Sequence, residues 1–219
     1  MSKKYVLFDF DGVIANTEES NKRYLEKALK EHGIMLTEKD RQQLIGSSDK
    51  TFLQNILKRG PVPVSEEELA ITRKRIGNTY ENTNIRPMPE LVPMLHFLRE
   101  KGVKTAIASS TSTRLIIIAL DKMGMTSLFD TIVCGDMCTE SKPHPQIYQR
   151  AMEYLGAKPE ECIVIEDSTV GITAGKRAGA YVIAYLGSGL QQDIHEADIS
   201  VNSYIECKEK LYELFNFKF

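Results

Sequence analysis

The chain has 219 residues, of which 42% are hydrophobic and 26% charged, the mix of a soluble globular protein with ample length for a real core. Its 28 Lys and Arg stand against 30 Asp and Glu, and no basic block stands out, which argues against nucleic acid or an anionic membrane as a partner. The apolar run that opens at Tyr5 is cut by Asp9, too early for a signal peptide, and the longest later run, residues 115–120, is far too short to span a bilayer.

Residues 5–8 form the first buried-strand pattern. Helical patterns follow over 21–32, 38–45, 51–58 and 66–80, broken in the middle by Gly60-Pro61-Val62-Pro63. Then the pattern alternates. Helices are expected over 90–101, 113–123, 145–155 and 170–178, and strands over 105–108, 131–134, 162–165 and 181–184, with 199–201 as a sixth strand. Gly102, Gly124, Gly156 and Gly179 sit where helix stops belong. Strand, helix and strand in alternation mean a parallel sheet with right-handed crossovers, an α/β Rossmann-like doubly wound core. About 95 residues separate the first two strands, far more than a crossover needs. Residues 17–85 therefore read as a small inserted helical domain, with hinges near 15–17 and 82–87, and residues 1–16 and 86–219 as the catalytic core.

Polar groups end four of the strand patterns. Asp9 and Asp11 follow the first, Ser109 and Ser110 the second, Asp136 the third, and Glu166 and Asp167 the fourth. In an open parallel sheet, ligands bind at the carboxyl ends of the strands, so these groups converge on one edge. Lys142 lies in a loop that can reach it. Several carboxylates together repel, and must protonate or share a cation. Oxygen-only donors favour a hard ion, with magnesium the default. The competing reading makes Asp11, Ser110 and Asp167 helix N-caps. It accounts neither for carboxylates at i and i+2 followed by Gly12 nor for Lys142 in a separate loop.

Other patterns carry less. Cys134, Cys138, Cys162 and Cys207 form no C-x-x-C pair, and His32, His96, His144 and His195 are scattered, so reduced thiols in a cytoplasmic protein are expected and a zinc site is not. The run 171–176 lacks the spacing of a phosphate-binding P-loop, and Gly187-Ser188-Gly189 reads as a turn. The acidic triplet 66–68 reads as a solvated helix start.

Four segments in order carry a resemblance. Asp9-Phe10-Asp11-Gly12-Val13-Ile14, Ala106-Ile107-Ala108-Ser109-Ser110, Ser141-Lys142-Pro143-His144-Pro145 and Val164-Ile165-Glu166-Asp167-Ser168 resemble the four motifs of the haloacid dehalogenase superfamily. The resemblance implies a magnesium-dependent phosphatase acting on a small phosphorylated metabolite, such as a sugar phosphate, through an aspartyl-phosphate intermediate. By it, Asp9 is the nucleophile and Asp11 the general acid, whose backbone carbonyl also meets the metal. Ser109 and Ser110 hold the phosphoryl group, and Lys142 joins it to the nucleophile. Asp167, assisted by Glu166, anchors the metal. The family's true dehalogenases lack an acid at the place of Asp11, which favours phosphate chemistry here.

The inserted segment matches the family's cap in position and size, with Glu18, Asn21, Arg23, Lys50, Lys74 and Arg75 as candidate substrate contacts. A β-phosphoglucomutase-type isomerase is the second reading. Asn21 stands where such mutases carry histidine, and Asp49 lies near the place of their arginine. A non-catalytic binding module is the third. No dimer surface is legible, so a monomer is expected.

Overall fold

The computed structural model describes residues 3–44 and 50–215. The chain divides into two compact units, Met1–Asn16 with Arg86–Phe219, and Thr17–Ile85. After β1 (Tyr5–Phe8) come the helices of the second unit: α1 (Glu18–Glu31), α2 (Glu38–Leu44), α3 (Lys50–Leu57), α4 (Glu66–Ile76) and α5 (Thr79–Asn82). The first unit then resumes with α6 (Leu91–Glu100), β2 (Lys104–Ser109), α7 (Thr113–Met123), β3 (Thr131–Cys134), α8 (Gln146–Leu155), β4 (Cys162–Glu166), α9 (Thr169–Arg177), β5 (Tyr181–Tyr185), β6 (Ile199–Val201) and α10 (Tyr204–Phe215).

All pairings are parallel and the strand order is β3-β2-β1-β4-β5-β6. That is the doubly wound arrangement expected from the alternation of patterns. Leu7, Ala106, Ala108, Val133, Val164 and Val182 turn to one face, which α8 and α9 cover. The alternate residues Val6, Phe8, Ile107, Ile163, Ile165 and Ile183 turn to the other face and are equally buried. Burial on both faces is why these strands read as unbroken apolar runs. Among the described residues no helix is long and apolar enough to cross a membrane.

The helical unit has its own small core of Ala28, Leu29, Ile34, Ile56, Leu57 and Leu69. Helix α4 opens on a capping box in which Ser65 and Glu68 satisfy each other's backbone, so the acidic triplet is a helix start. The helix expected over 66–80 is two helices. Gly77 adopts φ 107, and a Cβ there would come within 2.4 Å of Asn82 Oδ1. Asn78 Oδ1 then accepts the Glu81 N–H at 2.9 Å and starts α5. Helix α1 starts at Glu18, before the expected residue 21, with Glu18 and Glu19 placed favourably for the helix dipole. Ile45 and Asp49 lie outside the described residues, as does the side chain of Lys50.

Candidate active site

Strands β1 and β4 are neighbours, and the order of the sheet reverses where they meet. Asp9 follows β1 directly, its N–H donating to Ile165 O at 3.0 Å. Glu166 ends β4 and Asp167 follows it. The register therefore sets three carboxylates side by side, each offering an oxygen within 4.8 Å of the others. All three are buried, Glu166 completely.

One ammonium serves two of them. Lys142 Nζ donates to Asp9 Oδ1 at 2.5 Å, Glu166 Oε1 at 2.7 Å and Ala108 O at 3.1 Å, which commits all three of its N–H groups. Burial alone would lower Lys142, but Asp9 and Glu166 hold it well above its usual value, so it stays charged. Burial pushes Asp9 up, to about 7, against the pull of Lys142. Burial works the same way on Glu166, but Lys142 and Ser168 outweigh it and keep Glu166 below the usual carboxylate range.

Glu166 spends its oxygens on the protein. Oε1 accepts from Lys142 and from the Tyr148 hydroxyl at 3.0 Å. Oε2 accepts from the Asp167 N–H, the Ser168 N–H and the Ser168 hydroxyl at 2.9, 2.9 and 3.0 Å. Five donors more than fill the roughly four lone-pair sites of a carboxylate. Two glycines make this crowding feasible. A Cβ on Gly171 would lie 1.6 Å from Glu166 Oε1, and one on Gly12 would lie 1.9 Å from Asp167 Oδ2.

Among the described residues, three buried carboxylates cluster where one ammonium pairs with two of them, a concentration of acid that a divalent cation would offset. The donors are oxygens only, the set that suits a hard ion, so the residues fit a metal such as magnesium. With Glu166 saturated by the protein, Asp9 and Asp167 would be the acids to hold such an ion directly.

The Asp11 carboxylate lies outside this trio, and its Oδ2 accepts the Thr111 hydroxyl at 2.9 Å. Thr111 also donates its N–H to Ser109 Oγ at 3.1 Å, and Ser109 is buried. Ser110 is exposed and lines a cavity of about 170 Å³ with Gly135, Cys138, Ser141 and Lys142. The helix-cap alternative fails on the observed starts. Thr17, Ser112 and Ser168 take the cap positions, and Ser168 Oγ accepts the Gly171 N–H at 3.1 Å. Asp11, Ser110 and Asp167 are thus not spent on capping.

Asp136 does not join the acidic group. It is exposed and accepts the Thr113 N–H at 2.9 Å and hydroxyl at 2.7 Å, supporting the first turn of α7. The run 171–176 lies inside α9, where Gly175 lets the helix approach Val164 and Val182, and Lys176 pairs with Asp198. His32 bonds Thr72 and His195 pairs with Asp193. All four cysteines are free, and burial pushes the thiols of Cys134, Cys162 and Cys207 up to about 11, 12 and 12. In the helical unit, Arg75 is paired with Glu31, and Asn21 Oδ1 accepts the Thr79 hydroxyl at 2.7 Å.

Two residues touching the site, Thr111 and Tyr148, escape a motif-based reading. Thr111 follows Ser109-Ser110 directly. Tyr148 stands on the apolar stripe of α8, where a tyrosine must find a partner for its hydroxyl.

Residues 6–185 match the family described as haloacid dehalogenase-like hydrolase. The chain is 34% identical over 178 residues to a phosphoglycolate phosphatase of Aquifex aeolicus, covering 80% of this chain and 81% of that one. It is 29% identical over 177 residues to a phosphorylated carbohydrates phosphatase of Thermotoga maritima, with the same coverage. The crystal structure of a β-phosphoglucomutase from Clostridium difficile superposes with a TM-score of 0.74 at 27% identity, covering 96% of this chain and 99% of that one. The chain belongs to the haloacid dehalogenase-like hydrolase family and is an enzyme of its phosphatase branch.

Proposed function

We propose that this protein is a magnesium-dependent phosphatase that hydrolyses a small phosphorylated metabolite, such as a sugar phosphate, through an aspartyl-phosphate intermediate on Asp9. The observation that carries this reading is the placement of Asp9. One of its oxygens is pinned by Lys142 at 2.5 Å, while its carboxylate also stands within 4.8 Å of those of Glu166 and Asp167. The names of the relatives from Aquifex aeolicus and Thermotoga maritima support the substrate class.

Phosphoryl transfer asks a protein for in-line positioning and charge neutralisation. Asp9 and Asp167, with the Asp11 carbonyl, would hold the magnesium ion, and Glu166 would assist. Bound there, the ion neutralises part of the repulsion between the nucleophile and a phosphate dianion. An Asp9 oxygen attacks phosphorus, and the bond from phosphorus to the leaving oxygen breaks. Asp11 gives that oxygen its proton, a contribution of about 10²–10⁴-fold for a well-placed general acid. Water then attacks the phosphorus of the aspartyl-phosphate and passes a proton to Asp11. The Asp9–phosphorus bond breaks and inorganic phosphate leaves. Ser109 and Ser110 hold the phosphoryl oxygens. Lys142 must turn one N–H to the phosphoryl group, and its bond to Ala108 O, the longest of the three, is the least costly to exchange. The unit Thr17–Ile85 would act as the cap that selects the substrate.

The test is turnover of acetyl phosphate or p-nitrophenyl phosphate with magnesium, using Asp9→Asn. Loss of about 10³-fold or more in kcat is expected. Equal activity in the variant refutes Asp9 as the nucleophile, whereas a wild-type protein with no turnover leaves a binding module as the reading. The likeness to the Clostridium difficile β-phosphoglucomutase keeps a mutase as the second reading. Against it, Asn21 stands where those enzymes carry histidine, and it is engaged with Thr79. Product analysis with β-glucose 1-phosphate separates the two: free phosphate supports the phosphatase, and glucose 6-phosphate without free phosphate supports the mutase.

A further inference from the structure

We propose that Tyr148 is a positioning residue that holds Glu166 and Lys142 in register with Asp9, using both its hydroxyl and its ring. Tyr148 is fully buried on the inward face of α8, beside Ile147, Ala151 and Met152. Packing alone would be met by phenylalanine. A buried hydroxyl is costly unless it is hydrogen-bonded, and here it donates to Glu166 Oε1 at 3.0 Å. The same oxygen accepts Lys142 Nζ at 2.7 Å. The Tyr148 ring centroid lies 4.9 Å from that nitrogen, within reach of a cation–π contact. One side chain therefore touches both partners of the buried pair.

The consequence is geometric. Lys142 has three N–H groups, all committed, and the Tyr148 ring lies beside the ammonium at 4.9 Å. Glu166 Oε1 is held between two donors, so it cannot swing toward Asp9 and Asp167. Without the hydroxyl, Lys142 is the remaining donor to Oε1 among the described residues, and that oxygen can follow it while Oε2 stays held by Asp167 and Ser168. The ammonium then moves relative to the Asp9 oxygen it orients. A displacement of about 1 Å at a reacting group is worth about 10²-fold in rate.

This inference rests on the reading of Asp9 and Lys142 as the reacting and charge-bearing groups, and the controls test that reading separately. With magnesium and p-nitrophenyl phosphate, Tyr148→Phe is expected to lower kcat about tenfold and leave KM within about twofold, because the ring remains and only positioning is lost. Tyr148→Leu removes both contacts, with an expected loss of about 10²-fold. Spectra of the ¹⁵N-labelled lysine side chains add a direct readout in the folded protein. A protected ammonium signal missing in Lys142→Ala identifies Lys142; it should shift in Tyr148→Phe and broaden by exchange in Tyr148→Leu. If Tyr148→Leu does not fold, the phenylalanine variant and its spectrum decide alone. A Tyr148→Phe enzyme with kcat within twofold of wild type and an unmoved signal overturns the proposal. So does a rise in KM at constant kcat, which would put Tyr148 against the substrate. Activity retained in Asp9→Asn and Lys142→Ala overturns the underlying reading instead, whatever Tyr148 does.

Discussion

Each unit buries a carboxylate network, and the two differ in charge. In the helical unit, Asp40 accepts the Thr37 N–H at 2.8 Å and hydroxyl at 2.7 Å, and Arg59 Nη1 lies 2.8 Å from both of its oxygens. One carboxylate meets one guanidinium and one helix start, so the network is complete. At the carboxyl edge of the sheet, Asp9 and Glu166 share the ammonium of Lys142, and Asp167 stands within 4.8 Å of both acids. Hydrogen bonds are as plentiful there, yet among the described residues three acids gather around an ammonium that pairs with two of them. The lesson is that charge balance, more than burial or the number of hydrogen bonds, separates a structural network from a site that must bind something. A buried acid that is fully compensated holds the fold. A surplus of buried acid calls for a cation.

The strongest way to break this comparison is to disturb the crowded network without altering its charge. Gly171→Ala does so. Helix propensity favours alanine by about 1 kcal/mol. Against that, the new methyl group would sit 1.6 Å from Glu166 Oε1 and must displace a buried carboxylate that accepts five hydrogen bonds. Hydrogen bonds to charged groups are worth about 1.5–3 kcal/mol each. Losing even two outweighs the gain, so a net loss of about 2–5 kcal/mol is expected in urea unfolding, with kcat down by about 10²-fold. A variant as stable and active as wild type would show that Glu166 is looser than its contacts imply.

How much of this was readable beforehand depends on which interactions decide each feature. Strands β1, β2 and β4 are buried on both faces, so their apolar runs are visible without knowledge of the fold, and the acids at their ends are visible for the same reason. Gly77 was harder. One glycine inside an otherwise helical pattern does not announce a break, and the side chains of Asn78 and Asn82 settle it. Asp136 follows a strand as the others do, but its partner Thr113 lies 23 residues away. Tyr148 looks like core in any sequence pattern, because what distinguishes it is the register of α8 against β4.

A second experiment sharpens the comparison through binding. If the edge of the sheet carries uncompensated charge, magnesium should stabilise the folded protein at neutral pH. At a concentration about 100 times its dissociation constant, a ligand adds about 2.7 kcal/mol, which for a chain of this size raises Tm by about 5–11 °C. Asp167→Asn should remove most of that shift, while Asp40→Asn, in the balanced network, should leave it intact. A wild-type Tm indifferent to magnesium, or a shift undiminished by Asp167→Asn, breaks the charge argument at its root.

The smallest effect tests the balanced side. The hydrogen bonds from Thr37, with Arg59 adding to them, hold Asp40 down to about 2. A folded value below the unfolded one of about 3.9 means that the carboxylate stabilises the fold at neutral pH and loses that contribution as pH falls through 2. Asparagine keeps the shape and an acceptor for Thr37 but not the charge, so it imitates the protonated acid. At pH 7 Asp40→Asn should destabilise by about 1–2 kcal/mol, the scale of a helix cap with one charged partner. The difference from wild type should stay constant down to about pH 4 and close by pH 2. A gap that persists at pH 2 would mean that Asp40 acts through shape alone, and the balance of charge in the helical unit would then explain nothing about its stability.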